Sequence, residues 1–191
     1  MIAAGHGRRQ RPARAGLADA DADVRSAALG ALARSGGLTA EDLVSAMADP
    51  SPRVRRRACE ESARWSGPVP AALAGAVRRA AADPDPLVVE SACWALGEHR
   101  DRKAVPVVAG ISSDHPDPRC REAAVAALGA IGDPSGLPAV LGRLADRPVV
   151  RRRAVVALAA FDDPEALRAL EACRQDRDWQ VRQAAEILGQ D

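Results

Sequence analysis

Ser51-Pro-Arg-Val-Arg-Arg-Arg-Ala-Cys59 is one of six versions of a single pattern in this chain. The others are Asp21-Ala-Asp-Val-Arg-Ser-Ala-Ala-Leu29, Asp85-Pro-Leu-Val-Val-Glu-Ser-Ala-Cys93, Asp117-Pro-Arg-Cys-Arg-Glu-Ala-Ala-Val125, Arg147-Pro-Val-Val-Arg-Arg-Arg-Ala-Val155 and Asp178-Trp-Gln-Val-Arg-Gln-Ala-Ala-Glu186. Aligned on the fourth residue, the anchors are Val24, Val54, Val88, Cys120, Val150 and Val181, spaced by 30, 34, 32, 30 and 31 residues. A near-constant period of this length marks an array of small repeats, none of which buries its apolar face alone.

Each repeat reads as two helices. Pro52, Pro86, Pro118 and Pro148 stand two residues before their anchors, where a first helical turn accepts proline without losing a hydrogen bond. Ala28, Ala58, Ala92, Ala124, Ala154 and Ala185 lie four residues past the anchor and share its face; Leu32, Leu96, Leu128 and Leu158 follow at eight. The glycines Gly97, Gly129 and Gly189 sit where such a helix is expected to end. A preceding helix is expected over Leu38–Ala48, Val69–Ala82, Ala104–Ser112, Gly136–Ala145 and Pro164–Arg174, with short turns such as Gly132-Asp-Pro between. No stretch alternates with the period of a strand.

Composition agrees. Of 191 residues 47% are apolar, much of that Ala, and only 2% are aromatic, which suits closely approaching helices. A net charge of +1 selects neither nucleic acid nor an anionic membrane. Almost all the positive charge is Arg, a bias that GC-rich codon usage also produces. Cys59, Cys93, Cys120 and Cys173 form no CxxC pair, and no apolar run is long enough to span a bilayer. The Arg-containing stretch 1–16 reads as a loose N-terminal segment or frayed first helix before an array over 17–191. A cytoplasmic monomer is expected.

The pattern Asp-x-(Asp/Ser)-(Pro/x)-x-Val-Arg-x-x-Ala-x-x-Ala-Leu-Gly resembles the HEAT repeat, most closely the short type named after phycobilisome lyase subunits. The resemblance covers about residues 17–189. It implies an all-α fold, a right-handed α-α superhelix or HEAT-like solenoid of about six helical hairpins. It says little about function, because the family includes scaffolds, adaptors and a few enzymes.

The residue one past each anchor is Arg25, Arg55, Arg121, Arg151 or Arg182, with Val89 breaking the series. In HEAT-like arrays such an Arg resembles the one that pairs with a loop acid. Asp49, Asp83, Asp114, Asp146 and Asp176 are then its expected partners, in an Asp–Arg ladder along the stack. The fifth residue past the anchor is apolar in five repeats and Glu186 in the last, which reads as a terminal cap.

Positions two, three and six past the anchor face away from the core, and by resemblance the second helices line a concave groove. That groove would hold Arg56, Arg57, Glu60, Glu90, Trp94, Glu122, Arg152 and Arg153, with Trp94 as an aromatic anchor between two Arg pairs or as a ring lying over neighbouring helices. Trp65 is expected in the core, and Trp179 plugging the last hairpin.

Catalytic chemistry is not signalled. His6, His99 and His115 form no metal cluster, and no bound cofactor is expected. HEAT-like deoxyhypusine hydroxylases bind iron through repeated His-Glu dyads, whereas this chain has one reversed pair, Glu98-His99. HEAT-like alkylpurine glycosylases bind DNA on a basic face with aromatics, and few aromatics are present here. The reading is a non-catalytic scaffold or adaptor that takes a protein partner in its groove. The alternatives are a nucleic-acid-binding HEAT-like protein and, less favoured, a lyase-type or metal-dependent HEAT-repeat enzyme.

Overall fold

The computed structural model of the protein describes residues 11–188. All regular structure among them is helical. The chain forms two compact units, residues 1–95 and 96–191. The stretch 1–16, expected to be loose or frayed, lies partly outside the described residues; 11–16 form a helical turn, α1.

Unit 1 continues with α2 (Ala22–Arg34), α3 (Ala40–Ala46), α4 (Pro52–Ala63), α5 (Ala71–Ala80) and most of α6 (Pro86–Glu98). Unit 2 holds α7 (Val105–Asp114), α8 (Pro118–Ile131), α9 (Leu137–Gly142), α10 (Pro148–Leu158), α11 (Pro164–Cys173) and α12 (Trp179–Leu188), with single 3-10 turns before α7 and on both sides of α9. Within each unit, second helices pack on second helices (α2 on α4; α8 on α10; α10 on α12). First helices form a parallel layer (α3 on α5; α7 on α9; α9 on α11).

Local chemistry sets the boundaries. Proline opens α4, α8, α10 and α11 in the first turn. Thr39 and Asp42 form a reciprocal capping box at the start of α3. The Asp21, Asp117 and Asp163 carboxylates cap their helices by accepting from the N–H two residues on. Gly132 ends α8 in the left-handed region, at φ 64°, where a side chain would be strained.

The core follows the repeat register. Residues four and five past the anchors are buried from Ala28 and Leu29 through to Ala154 and Val155. In the last repeat Ala185 is buried and Glu186 exposed. The anchors are buried except Val24, which is 41% exposed. In the described chain before it, Leu17 is the only large aliphatic residue, so little apolar surface is available to cover Val24.

α6 ends one residue past Gly97, at Glu98, whereas Gly129 corrects the expectation that it ends a helix: α8 runs on to Ile131 and is capped by Gly132. A Cβ on Gly129 would stand 2.9 Å from both Cα and Cβ of Ala157, and one on Gly97 3.1 Å from Cα of Ala127. These glycines let neighbouring second helices touch backbone to backbone. Gly189 lies outside the described residues.

Arginine and aspartate join successive repeats inside each unit. In unit 1, Arg25 and Arg55 each place Nε and Nη2 on a carboxylate, Asp49 and Asp83 respectively, at 2.7–2.8 Å. In unit 2, Arg121 grips Asp146 and Arg151 grips Asp176 in the same fork, at 2.8–2.9 Å. The third nitrogen, Nη1, donates to carbonyls in the turn just before the arginine's own helix, such as Asp49 and Pro50 for Arg55. Among the described residues Arg182 makes only the carbonyl bonds, to Asp176 and Arg177.

Asp114 is a correction. It ends α7 exposed and joins no arginine fork among the described residues. The residue in register, five before the anchor, is His115. Its Nδ1 accepts from the Asp117 N–H at 3.1 Å, as the Asp49 carboxylate accepts from Ser51 at 2.8 Å. The register position lies one residue after Asp114. The Arg121 bonds to the carbonyls of His115 and Pro116 show the true register.

Candidate functional site

The exposed face of α4 and α6 in unit 1 carries most of the residues expected to bind. At i,i+4 spacing on α4, Arg56 meets Glu60 at 2.8 Å and Arg57 meets Glu61 at 2.6 Å. Arg57 also reaches Glu60 at 3.8 Å. Arg64, one residue past the helix, donates to the Glu60 carbonyl at 2.9 Å and lies 3.9 Å from Glu61. Its guanidinium carbon stands 5.0 Å from the centroid of the Trp94 ring, a cation–π distance. Trp94 remains 40% exposed and Glu90 is half-buried beside it in the sequence of α6.

Arg64 and Glu61 were missed from sequence. Glu61 is 8% exposed, and its spacing from Arg57 was a legible signal. The placement of Arg64 over Trp94 depends on how α4 ends, which no spacing rule gives. Trp65 is another correction. Because α4 stops at Ala63, Trp65 leaves the core stripe, stays half-buried and donates its Nε1–H to the Pro68 carbonyl at 3.3 Å.

In unit 2 the expected residues form a separate group on α8 and α10. Arg153 bonds Glu122 at 3.2 Å, and Arg152 bonds the Gln180 side chain at 3.1 Å. Arg153 and the 45%-exposed Val156 border a hollow of about 140 Å³ floored by Ala126, Gly129 and Ala157. Trp179, expected to plug the last hairpin, is instead 61% exposed at the start of α12. Proline at that place in other repeats is also peripheral, so the position does not face the core.

The Cys59 and Cys173 thiols are poor nucleophiles. All four cysteines are free and buried. Burial pushes Cys59 up to about 12 and raises Cys173. Among the described residues no three His, Cys, Asp or Glu side chains gather as a metal site, and no helix is long and apolar enough to cross a membrane.

Comparison with known proteins gives one consistent answer. The family model described as HEAT repeats matches residues 11–91, 73–149 and 114–189. No curated protein matches the chain significantly in sequence. Among solved structures, a designed armadillo repeat protein in complex with the peptide (KR)4 is similar, with a TM-score of 0.71, 18% identity, and 94% of this chain and 97% of that one covered. The CpcE–CpcF complex of phycocyanin lyase from Nostoc sp. PCC7120 is similar with a TM-score of 0.70, 21% identity, and 92% and 74% covered. Human deoxyhypusine hydroxylase is similar with a TM-score of 0.54, 23% identity, and 95% and 73% covered. At these identities the likeness is one of fold: all-helical repeats of the armadillo and HEAT kind.

Proposed function

The chain belongs to the HEAT-repeat family, and from that premise we propose that it is a non-catalytic interaction module that binds a segment of another protein. The observation carrying this reading is Trp94. An indole 40% exposed on a second helix, with Arg64 stacked on it, offers large contact area at small conformational cost. Arg56, Arg57, Glu60 and Glu90 frame it as a polar rim. Glu122, Arg152 and Arg153 form a second contact patch on unit 2.

Two similar folds support protein binding, being solved with a peptide and as a two-protein complex. The peptide in the first is basic. The exposed arginines here call for the opposite sign, an acidic and partly apolar segment. The buried Cys59 and Cys173 thiols, both with raised pKa, support a non-catalytic role, and four free cysteines suit a reducing compartment such as the cytosol.

The test is affinity capture from the native cell with the wild type and with Trp94→Ala and Arg153→Glu, each checked for helix content. The expected outcome is loss of specific partners from Trp94→Ala. An unchanged partner set with both variants folded removes these faces as the site. A retained nucleic acid in place of protein would turn the reading to the nucleic-acid-binding alternative.

A further inference from the structure

Two hollows in unit 1 open on either side of one side chain, Arg34. The larger, about 430 Å³, lies at the C-terminal ends of α2 and α4, lined by Ala33, Arg34, Leu38, Glu61, Arg64 and Trp65 among others. The second, about 400 Å³, runs along the same two helices past Asp23, Ser26, Arg53 and Arg57. Arg34 is exposed in the last turn of α2. Among the described residues no carboxylate or carbonyl bonds its guanidinium.

Its close neighbour is another cation. A Cβ built on Gly30 would collide with Nη2 of Arg57 and lie 3.3 Å from Nη1 of Arg34. Two guanidinium groups therefore converge over the bare backbone of Gly30. The acids nearby are already engaged: Glu61 holds Arg57 at 2.6 Å, and Asp23 pairs with Arg53. Across the two hollows Arg34, Arg53, Arg57 and Arg64 face Asp23 and Glu61, so two positive charges stand unbalanced. Like charges held this close favour an incoming anion.

The walls say what else the anion carries. Ala33, Leu38 and the half-buried Trp65 give the larger hollow an apolar side, and the Trp65 N–H is already spent on Pro68. The ring therefore offers carbon, not a donor. A carboxylate on the Arg34 fork with a large apolar neighbour against Trp65 satisfies both surfaces. A nucleic-acid strand fits worse, because Asp23 and Glu61 would meet its phosphates and one indole gives no run of stacking platforms.

We infer that unit 1 anchors its protein ligand at Arg34, by an acidic side chain, with an adjacent large apolar residue in the hollow beside Trp65. This rests on the protein-binding reading above, and it adds to the contact on the Trp94 ring a second one in the hollow on the other side of Arg64.

The test is selection of a random peptide display library on the whole protein, followed by titration of the best synthetic peptide while the indole N–H resonances of Trp65, Trp94 and Trp179 are recorded. Expected are enriched peptides with Asp or Glu beside Leu, Phe or Trp, movement of the Trp65 resonance, and weakening of about tenfold or more on Arg34→Gln. Changing the peptide acid to its amide should cost a similar factor, and the two losses should not multiply. Arg34 is exposed, so Arg34→Gln should keep the fold; Arg57→Gln serves as a second variant, and circular dichroism checks both. Enriched peptides without an acid, an unchanged affinity for Arg34→Gln, or equal competition by oligo(dT) would overturn the inference. If Trp94 moves and Trp65 does not, the hollow is wrong while the interaction module stands. If no peptide is enriched, the inference fails, and the capture experiment above judges the module separately.

Discussion

Arg121 shows what one side chain contributes to this fold. Its Nε and Nη2 hold both oxygens of Asp146 at 2.8 Å, and its Nη1 donates to the carbonyls of His115 and Pro116 at 2.9 and 3.1 Å. A lysine has no planar fork and could not serve three places at once. The Arg121 hydrogen bonds, against the opposing pull of burial and with help from the Arg147 N–H, hold the Asp146 carboxyl at about 2. Its pKa in the unfolded chain is the ordinary one near ~3.9. The stabilisation is therefore complete above about pH 4 and is lost as pH falls toward 2. Asp146 is only 8% exposed in its side chain, so Asp146→Asn should cost roughly 2 kcal/mol near neutrality. Urea unfolding of both proteins across pH checks this: the difference should stay flat from pH 7 to about 4 and shrink below. A difference that persists unchanged at pH 2 would contradict it. The arginine row was legible in the sequence because it keeps step with the anchors. Its acids were less so, since they sit in turns whose length varies, and Asp114 was mistaken for the position that His115 holds.

At the scale of the helix, proline and the anchors revealed where second helices begin, while Gly129 misled. Gly129 and Gly110 are both helical, yet their surroundings differ. A Cβ at Gly129 would press on the Ala157 backbone at 2.9 Å, whereas nothing lies within 4 Å of one at Gly110. Gly129→Ala should force α8 and α10 apart and cost about 1–3 kcal/mol. Gly110→Ala, in the exposed middle of α7, should be neutral or stabilise by up to about 1 kcal/mol through better helix propensity. Thermal unfolding of the two variants separates the cases, and equal effects would mean that α8 and α10 do not meet at Gly129. A sequence cannot distinguish these glycines, because the difference lies in what the next repeat places opposite. The same blindness applies to Trp65 and Trp94. Helical phase put Trp94 outward correctly, but it carried Trp65 into the core on a helix that had already stopped at Ala63.

For the molecule as a whole, a repeat array in which each repeat leans on its neighbours makes stability a local property. The period of the anchors was enough to expose this architecture, while the binding surface was only partly visible. Arg34 and its hollow depend on where α2 and α4 end relative to each other, not on any periodic position. Local stability has a direct consequence. Leu73 is fully buried in α5, the helix that packs on α3 and α4, and Leu73→Ala should cost about 2–5 kcal/mol. In a single cooperative body that loss would appear in the exchange of every slow amide. In a nearest-neighbour array it should concentrate in α3, α4 and α5 and leave α10 to α12 close to wild type. Native-state hydrogen exchange read by mass spectrometry decides between them. A uniform increase through α12 would show that the repeats unfold together, and the surface of unit 1 would then be coupled to every helix in the chain.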